Sequence, residues 1–357
     1  MNTYCIIMAG GVGSRFWPAG TQSLPKQFLD ILGTGETLIQ QTYSRMLFAC
    51  NPEHILVVTN DDYKDLVLQQ LPELNKKQVL TEPLMRNTAP CIAYALHKIN
   101  TLDPDAGVIV SPADHLILKQ RDFERVIKKA LDYVKDNNNL VTLGITPSRP
   151  DTGYGYIEFQ KQDKDDIKKV VRFREKPNLE TAEQFMSAGN FAWNSGMFIW
   201  NNKAGLAAFD KHLPEINDLF NSINKDLAEH NDEKVIPEIY AQCPEISIDY
   251  GIMEKADNVY MIPADIGWSD LGTWGSVYEN SDPDPDGNVI FNGKIITSDT
   301  QNNLISIPKE KAAIIDGLED YIVVDSGKAL LIIRRGNQQE IKKLRKELGD
   351  KFGKEYI

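Results

Sequence analysis

A cluster of glycines directly follows the first apolar stretch of the chain and could bind phosphate. Thr3–Ala9 predicts a buried strand that runs into Gly10, Gly11 and Gly13. Glycines let backbone N–H groups approach an anion closely and permit the positive φ values of an anion-binding loop. Neither a Walker A lysine nor the third glycine of the dinucleotide-binding fingerprint follows, so the loop is of neither type. On its own, the cluster is equally compatible with a tight turn.

Two cations accompany these glycines. Arg15 lies inside the loop, and Lys26 follows in the segment Leu24–Phe28. Arginine binds phosphate oxygens in a bidentate manner and lysine binds them as a point charge, so together they could neutralise a polyphosphate. The alternative is that both are solvated surface charges, which is the usual state of an isolated arginine or lysine.

Two aspartates in distant segments could hold a metal ion. Asp114 comes just after the predicted strand Gly107–Ser111, and Asp270 lies in a loop between two tryptophans. Mg²⁺ prefers oxygen ligands and is commonly held by one or two carboxylates together with substrate phosphates. Alternatively, Asp270 caps the following helix and Asp114 forms an Asx-turn. His115 stands beside Asp114 and is interpreted as structural.

A polar segment around residue 86 could recognise a nucleobase. Glu82, Arg86, Asn87 and Thr88 offer both hydrogen-bond acceptors and donors, as the polar edge of a base requires. Alternatively, Asn87 or Thr88 caps a helix that begins near Pro90, with the proline at its first position. Both interpretations can hold, because the N–H groups at a helix N-terminus also attract phosphate.

The first 145 residues alternate between short apolar runs and longer amphipathic patterns. Strands are predicted at 3–9, 54–59, 107–111 and 140–144, with helices at 36–49, from 61, at 90–100 and at 122–135. This alternation favours an α/β fold with a mostly parallel sheet and helices on both faces. Ligands of such sheets bind beyond the carboxyl ends of the strands, so the loops there are where chemistry is expected.

The pattern changes after residue 150. Strands are predicted at 154–159 and 170–173, and helices at 181–187 and 214–229. Asn280–Asn288 is rich in proline, glycine and aspartate, which indicates a linker. Short strand-like runs between 289 and 333 predict a small all-β unit, and Gln338–Leu348 predicts a last helix. The predicted domains are therefore residues 1–282, 283–335 and 336–357.

Composition excludes several classes of protein. Acidic residues outnumber basic ones by 51 to 39, for a net charge of −12. This balance argues against nucleic-acid binding and against a membrane-surface role, both of which rely on basic residues. No apolar run is long enough to span a bilayer, and the N-terminus does not resemble a signal peptide. The four cysteines form no CxxC pair, so we expect reduced, buried thiols in a cytoplasmic protein.

Several segments, taken in order, resemble a known family. Gly10–Pro18 followed by Pro25–Phe28 resembles the signature of sugar-1-phosphate nucleotidylyltransferases, most closely their mannose-1-phosphate guanylyltransferase branch. The resemblance continues in five later segments: 82–90, 112–115, 173–177, 193–198 and 268–274. It implies a Rossmann-like nucleotidyltransferase domain with a mixed, mostly parallel sheet, followed by a small β-helix-like unit.

The resemblance also implies an activity and roles for individual residues. Members transfer GMP from GTP to mannose 1-phosphate, giving GDP-mannose and pyrophosphate, with Mg²⁺ held by residues that match Asp114 and Asp270. Arg15 and Lys26 would stabilise the leaving pyrophosphate, and Lys176 would position the sugar phosphate. The nucleotide-binding set is Gly10, Gly11, Gly13, Glu82, Arg86, Asn87 and Thr88, and the sugar-binding set is Gly153, Glu175, Asn190 and Asn194.

Two alternatives to this function stay open. The sugar could be another hexose 1-phosphate or the base another nucleotide, or the chain could be a regulatory subunit that binds a nucleotide sugar without turnover. Longer members of the family carry a C-terminal cupin-like isomerase domain. The last 75 or so residues lack room for it, so a monofunctional transferase is expected. A homodimer formed through the β unit is a further expectation.

Overall fold

The computed structural model describes residues 1–11, 13–161 and 166–357, so that Val12 of the glycine-rich loop lies outside the described residues. Its strands are β1 (Thr3–Met8), β2 (Ile55–Asn60), β3 (Val79–Glu82), β4 (Gly107–Pro112), β5 (Leu116–Ile117), β6 (Leu140–Ile145), β7 (Tyr156–Phe159), β8 (Lys168–Arg174), β9 (Phe191–Asn201), β10 (Val259–Ala264), β11 (Trp268–Ser269), β12 (Val289–Phe291), β13 (Lys294–Ser298), β14 (Leu304–Ser306), β15 (Ala312–Asp316), β16 (Tyr321–Asp325) and β17 (Leu330–Arg334).

Its α-helices are α1 (Leu38–Met46), α2 (Lys64–Gln70), α3 (Thr88–Leu102), α4 (Gln120–Lys135), α5 (Leu179–Ala188), α6 (Asn202–His212), α7 (Pro214–Ser222), α8 (Asn224–Ala228), α9 (Asp232–Gln242), α10 (Trp274–Glu279) and α11 (Ile341–Phe352). Short 3-10 helices lie at Ser14–Phe16, Lys26–Phe28, Pro52–His54, Asp61–Tyr63, Lys76–Gln78, Arg335–Glu340 and Lys354–Tyr356, and a π-helical turn lies at Asp249–Met253.

The chain packs into two units. The first contains residues 1–10, 42–113 and 117–268, and the second contains residues 11–41, 114–116 and 269–357. The domain boundaries predicted after residues 282 and 335 stay predictions.

The first unit is built on a nine-stranded sheet in the order β3-β2-β1-β4-β9-β6-β10-β8-β7. Strands β1 to β4 pair in parallel, as the alternating sequence pattern predicts. Strand β9 runs antiparallel between β4 and β6, and β6 pairs in parallel with β10. The α/β class and the mixed sheet are confirmed. The sheet is less parallel than predicted because β9, whose apolar run is interrupted by Asn194, Ser195 and Gly196, was not recognised as a strand.

Helix α3 lies at the centre of the first unit's core. Eleven consecutive residues from Ala89 to Ile99 are buried, although Lys98 is charged. The Lys98 Nζ donates to the Leu227 carbonyl at 2.7 Å and to Asp232 Oδ1 at 3.1 Å. A buried ammonium requires such partners, because leaving it unpaired would cost several kcal/mol. These bonds fix the helix whose N-terminus carries the predicted base-recognition segment.

The second unit contains the predicted small β unit. Strands β12, β14 and β16 pair in parallel, with Val289 opposite Leu304 and Leu304 opposite Ile322. Strands β13 and β15 form a second parallel pair, and β17 adds an antiparallel edge. Repeated parallel pairing of short strands in successive coils confirms the β-helix-like character. An apolar cluster in this unit joins the coils to the glycine-rich segment and to α11; it includes Phe16, Trp17, Trp274, Leu304, Ile322 and Ile341.

Two expectations from composition can be compared with the structure. None of the helices in the described ranges combines the length and the hydropathy needed to cross a bilayer. All four cysteines are buried and free, as expected from their spacing.

Candidate active site

Within the second unit, the glycine-rich segment packs very closely against Lys26 at Gly13. Gly13 has φ 59° and ψ 42°, a left-handed conformation that strains any residue with a side chain. A Cβ atom at this position would lie 2.5 Å from the Lys26 Cβ, whereas at Gly11 it would meet nothing. Gly13 therefore allows the loop and the Lys26 segment to lie in contact, and Gln27 reinforces this by donating from Nε2 to the Gly11 carbonyl at 2.9 Å.

Lys26 is buried between two aspartates. Its side chain is only 5% exposed, and Nζ donates to Asp114 Oδ2 at 3.0 Å and to the Asp270 main-chain carbonyl at 2.5 Å. The ring of Phe16 lies below it, 5.6 Å from Nζ to the ring centre. The alternative that Lys26 is a solvated surface charge does not apply.

The Asp114 carboxylate is held in its ionised form. Burial alone would raise its pKa, but the attraction of Lys26 and His115 and the hydrogen bond from Lys26 outweigh burial and lower the pKa. His115 Nε2 lies 3.8 Å from Asp114 Oδ1. An ionised carboxylate beside an ammonium is suited to sit among phosphates and a divalent cation.

Asp270 does not cap the following helix. Helix α10 is capped by Thr273, whose hydroxyl accepts from the Ser276 N–H in a reciprocal capping box. The Asp270 Oδ1 instead accepts from the Gly272 N–H at 2.9 Å, closing a tight turn. A Cβ atom on Gly272 would lie 2.9 Å from Asp270 Oδ2, so this glycine gives the carboxylate its space.

One cavity in the second unit gathers these groups. It has a volume of about 310 Å³, and its charged lining consists of Arg15, Lys26, Lys342, Asp114 and Asp270, with His115 beside them. Arg15 is exposed at this cavity. The predicted cations and metal-binding aspartates are therefore brought together, and α11 adds Lys342, which the sequence pattern did not indicate.

In the first unit, Glu82 is a buried and predominantly neutral acid. It ends β3, is 7% exposed, and accepts at Oε1 from the Tyr240 hydroxyl at 3.0 Å. Burial raises its pKa to about 8, although the bond from Tyr240 acts in the opposite direction. A Cβ atom on Gly10, which belongs to the same unit, would lie 3.5 Å from Glu82 Oε2, so Gly10 lies close to this carboxyl group.

The segment from Arg86 to Thr88 also serves the structure. Helix α3 begins at Thr88, so Pro90 is its third residue rather than its first. Asn87 caps the helix with a φ of 67°, and its side chain accepts from the Thr88 N–H at 2.8 Å. The Arg86 Nε donates to the Tyr240 carbonyl at 3.2 Å, and Thr88 Oγ1 accepts from the Ile248 N–H at 2.9 Å. The capping alternative is therefore correct for Asn87. A base-binding role for this segment stays a prediction.

Three of the predicted sugar and sugar-phosphate residues lie together in the first unit. Glu175 Oε1 lies 3.3 Å from the Lys176 Nζ. A Cβ atom on Gly155 would lie 2.8 Å from Glu175 Oε2 and 3.7 Å from the Asn194 Cβ. Lys176 has a φ of 38°, so it avoids right-handed helical geometry, as expected before Pro177, but in the left-handed region rather than in an extended one.

Asn194 is oriented by an irregular strand and by a partly buried acid. Thr142 pairs with Phe198 and Gly144 with Asn194, so three residues of β9 bulge opposite one of β6. Bulges re-aim neighbouring side chains. The Asn194 Nδ2 donates to Asp249 Oδ1 at 2.7 Å, and burial raises the pKa of Asp249. The sequence pattern did not indicate Asp249, because it lies in no recognised motif.

Gly153 and Asn190 are not part of this group in the observed contacts. The Gly153 N–H donates to Asp151 Oδ1 at 2.8 Å in an exposed turn. The Asn190 Nδ2 donates to the Phe159 carbonyl at 3.2 Å, and Asn190 lies four residues before Asn194, or about 13 Å along an extended chain. Their sugar-binding roles stay predictions.

A family model described as nucleotidyl transferase matches residues 4–286, well over half of the chain. The chain is also 36% identical over 344 residues to mannose-1-phosphate guanylyltransferase of Klebsiella pneumoniae, a match that covers 95% of this chain and 72% of that one. The chain belongs to the nucleotidyl transferase family, in its mannose-1-phosphate guanylyltransferase branch.

Two further comparisons agree with this membership. The mannose-1-phosphate guanylyltransferase of Escherichia coli strain K12 is 36% identical over 353 residues, covering 96% of this chain and 72% of that one. A crystal structure from Thermus thermophilus, described as a mannose-1-phosphate geranyltransferase, matches this nucleotidyl transferase with a TM-score of 0.88 at 28% identity. That match covers 98% of this chain and 99% of the other, so it includes the β unit and α11.

Nucleotidyl transferases typically use a divalent metal ion. Across the described ranges, no group of three or more His, Cys, Asp and Glu side chains converges as a metal site. In this nucleotidyl transferase, Asp114 and Asp270 instead line the same cavity as three cations. Two carboxylates beside cationic groups fit an ion whose remaining ligands are phosphate oxygens and water.

Proposed function

We propose that the chain transfers GMP from GTP to α-D-mannose 1-phosphate, giving GDP-mannose and pyrophosphate. The observation that carries the proposal is the cavity in which buried Lys26 bonds to both Asp114 and Asp270, with Arg15 on the same wall, in a chain of this family. Such a charge arrangement suits a polyphosphate and a hard cation.

The proposed reaction is a direct displacement. A phosphate oxygen of mannose 1-phosphate attacks the α-phosphorus of GTP, a new P–O bond forms, and the bond to the β-phosphate breaks in line with it. The electron pair of the broken bond leaves with pyrophosphate. No covalent enzyme intermediate is needed, so the catalytic work consists of positioning and charge stabilisation.

The second unit would bind the phosphates of GTP. Arg15 and Lys26 would stabilise the charge that develops on the leaving pyrophosphate, and the N–H groups of the loop at Gly11 and Gly13 would contact phosphate oxygens. When Mg²⁺ is bound, Asp114 and Asp270 would hold it, and it would supply further neutralisation of phosphate charge. The lowered pKa of Asp114 keeps that ligand ionised at neutral pH.

The first unit would bind the base and the sugar. Glu82, largely neutral at pH 7, could both donate and accept a hydrogen bond, and Arg86, Asn87, Thr88 and the adjoining Gly10 would complete the nucleotide contacts. Lys176 would position the attacking sugar phosphate. Glu175 and Asn194, with Gly153 and Asn190, would contact the sugar hydroxyls. A cytoplasmic location and a homodimer are part of the same proposal.

Pyrophosphate release tests the reaction. It would be measured with GTP, ATP, UTP or dTTP, each with and without mannose 1-phosphate, in Mg²⁺ and then in excess chelator. We expect release that requires GTP, mannose 1-phosphate and the divalent ion together. A panel with glucose 1-phosphate in place of mannose 1-phosphate provides the control for sugar selectivity.

Other outcomes would contradict the proposal in different ways. Release with another nucleotide would keep the chemistry but overturn the assignment of guanine recognition to residues 82–88. Release with glucose 1-phosphate at equal efficiency would overturn the sugar assignment. Absence of release with every pair, despite measurable GTP binding, would instead favour a regulatory subunit.

A further inference from the structure

The cavity that contains Arg15 and Lys26 has a third cation that the family motifs do not include. Lys342 is the second residue of α11 and lines the same cavity of the second unit as Asp114 and Asp270. It is exposed, and within the described ranges it forms no ion pair. Its charge is therefore available to an anion entering the cavity.

The start of α11 is anchored to the segments that bear the other cavity residues. Ile341 is 1% exposed and lies in the apolar cluster with Phe16, Trp17 and Trp274. Just before the helix, Gln338 Oε1 accepts from the Gly275 N–H at 2.7 Å. Lys342 thus follows directly after a fixed residue, which limits the positions that its side chain can reach.

The far end of α11 is held as well. The Trp17 Nε1 donates to the Tyr356 carbonyl at 2.6 Å, and a Cβ atom on Gly349 would lie 2.5 Å from the Ile357 Cδ1, so the chain folds back closely against the helix. Both ends of α11 therefore contact their own unit. A helix tethered in this way is a suitable element from which to present a charge at a binding site.

The local electrostatics at Lys342 favour an anion. The first turn of α11 carries Lys342 and Lys343 and no acidic residue, although Glu340 precedes it. Positive side chains at a helix N-terminus are unfavourable beside the positive end of the helix dipole, and a bound anion reverses this effect. Lys26, in contrast, already bonds to Asp114 and to the Asp270 carbonyl, so part of its charge is neutralised within the protein.

We propose that Lys342 contacts the β- and γ-phosphates of the nucleotide and the pyrophosphate formed from them. This inference rests on the function proposed above and assigns to the C-terminal helix a direct part in binding the leaving group. Pyrophosphate carries several negative charges on a small volume, and Arg15 and Lys342 on the cavity wall complement them. The second product, GDP-mannose, lacks the phosphates that Lys342 would contact.

The reverse reaction separates this role from a general effect on the enzyme. In it, a pyrophosphate oxygen attacks the phosphorus of the GMP moiety in GDP-mannose, GTP forms, and mannose 1-phosphate leaves. For Lys342→Met, we expect the KM for pyrophosphate to rise about tenfold, the effect of losing one charged hydrogen bond. The KM for GDP-mannose should change by less than about twofold.

Lys343→Met is the matched control, since it removes the same charge from the same turn of α11 at a residue that does not line the cavity. It should leave both KM values at those of the wild type. Lys342→Arg should restore most of the affinity for pyrophosphate, because it keeps the charge. Equal pyrophosphate KM values for Lys342→Met and wild type would overturn the inference, and so would a parallel rise in both substrates' KM values.

The two proposals fail in distinguishable ways. If the wild-type protein turns over in neither direction, the proposed function is wrong. If the wild type is active and the KM for pyrophosphate is insensitive to Lys342, only the inference about α11 is wrong. Lys342 is exposed, so its variants should keep the unfolding temperature of the wild type, which thermal denaturation would check.

Discussion

At the scale of single residues, Lys26 shows how burial changes the meaning of a charged side chain. A lysine on a surface loop contributes little, because water competes for its charge. The Lys26 ammonium is instead nearly excluded from water and bonds to one carboxylate and one carbonyl. Its position therefore sets the ionisation of Asp114 as well as the charge that a phosphate would meet.

Replacing Lys26 by methionine should lower kcat/KM by about 10²–10³, the effect expected when one stabilising charge is removed from a transition state. It should also shift the acid limb of the pH–rate profile to higher pH. With the ammonium gone, the largest opposition to burial is lost and only His115 and a backbone hydrogen bond still lower the pKa of Asp114, so this carboxylate becomes protonated at a higher pH than in the wild type.

The measurement is kcat/KM for GTP between pH 5 and 8. Lys76→Met, at an exposed lysine, is the control and should give the wild-type profile. A profile for Lys26→Met with the wild-type rate, or with an unchanged acid limb, would contradict the role given to this pair.

At the scale of elements, the loop at Gly13 depends on backbone conformation more than on side-chain chemistry. Gly10, Gly11 and Gly13 look equivalent in sequence, but the structure distinguishes them. Only Gly13 among these three has a positive φ and lies against the Lys26 backbone, whereas a Cβ atom on Gly11 would stand in open space. The close contact, rather than a general need for flexibility, explains the glycine at position 13.

Gly13→Ala should therefore reduce the free energy of unfolding by about 1–3 kcal/mol, from left-handed strain and from the clash with the Lys26 Cβ. Gly11→Ala should change it by less than about 0.5 kcal/mol. Urea denaturation of the two variants would measure the difference. Equal stabilities would show that the loop relaxes around the added methyl group and that Gly13 is not required by packing.

At the scale of the whole molecule, the net charge is −12, but the local charge differs greatly from place to place. The cavity of the second unit concentrates three cations, while the first unit buries Glu82 as a largely neutral acid. The overall charge argues against a nucleic-acid partner, but it gave no indication of this local group of cations. The raised pKa of this buried acid predicts a pH dependence of global stability.

Glu82 should make the protein less stable as the pH rises. Its pKa is about 8 in the folded chain against an ordinary 4.5, so between these values the folded state binds more protons than the unfolded state and stability falls with pH. Glu82→Gln removes this titration. The variant should match the wild type to within about 1 kcal/mol at pH 5 and exceed its stability by about 2–5 kcal/mol at pH 8.

Urea denaturation at the two pH values would test this, with Glu73→Gln at an exposed site as the control. The control should follow the wild type at both pH values. If Glu82→Gln also loses stability in parallel with the wild type, the pH dependence has another origin.

The sequence by itself determined the elements and the family. Strands β1, β2, β4 and β6 and helices α3 and α4 follow from apolar runs and amphipathic periodicity, which are local properties of the chain. The ordered motifs around Gly13, Lys26, Asp114, Glu175 and Asp270 identified the nucleotidyl transferase family, because glycines, prolines and charges at fixed spacing do not depend on the rest of the fold.

Only the tertiary structure decided which residues stand beside these motifs. Tyr240 forms a hydrogen bond with Glu82, and Asp249 forms one with Asn194. Lys342 and Arg15 line the same cavity. The two members of each pair are at least 55 residues apart in the sequence. Strand β9 was likewise recognisable only from its pairing with β4 and β6, since the polar residues that interrupt it form a bulge rather than a turn. The periodicity of a sequence indicates which face of a helix or strand is buried. Which distant residues a side chain contacts depends on long-range packing, and the resulting burial also shifts the pKa of a titratable side chain.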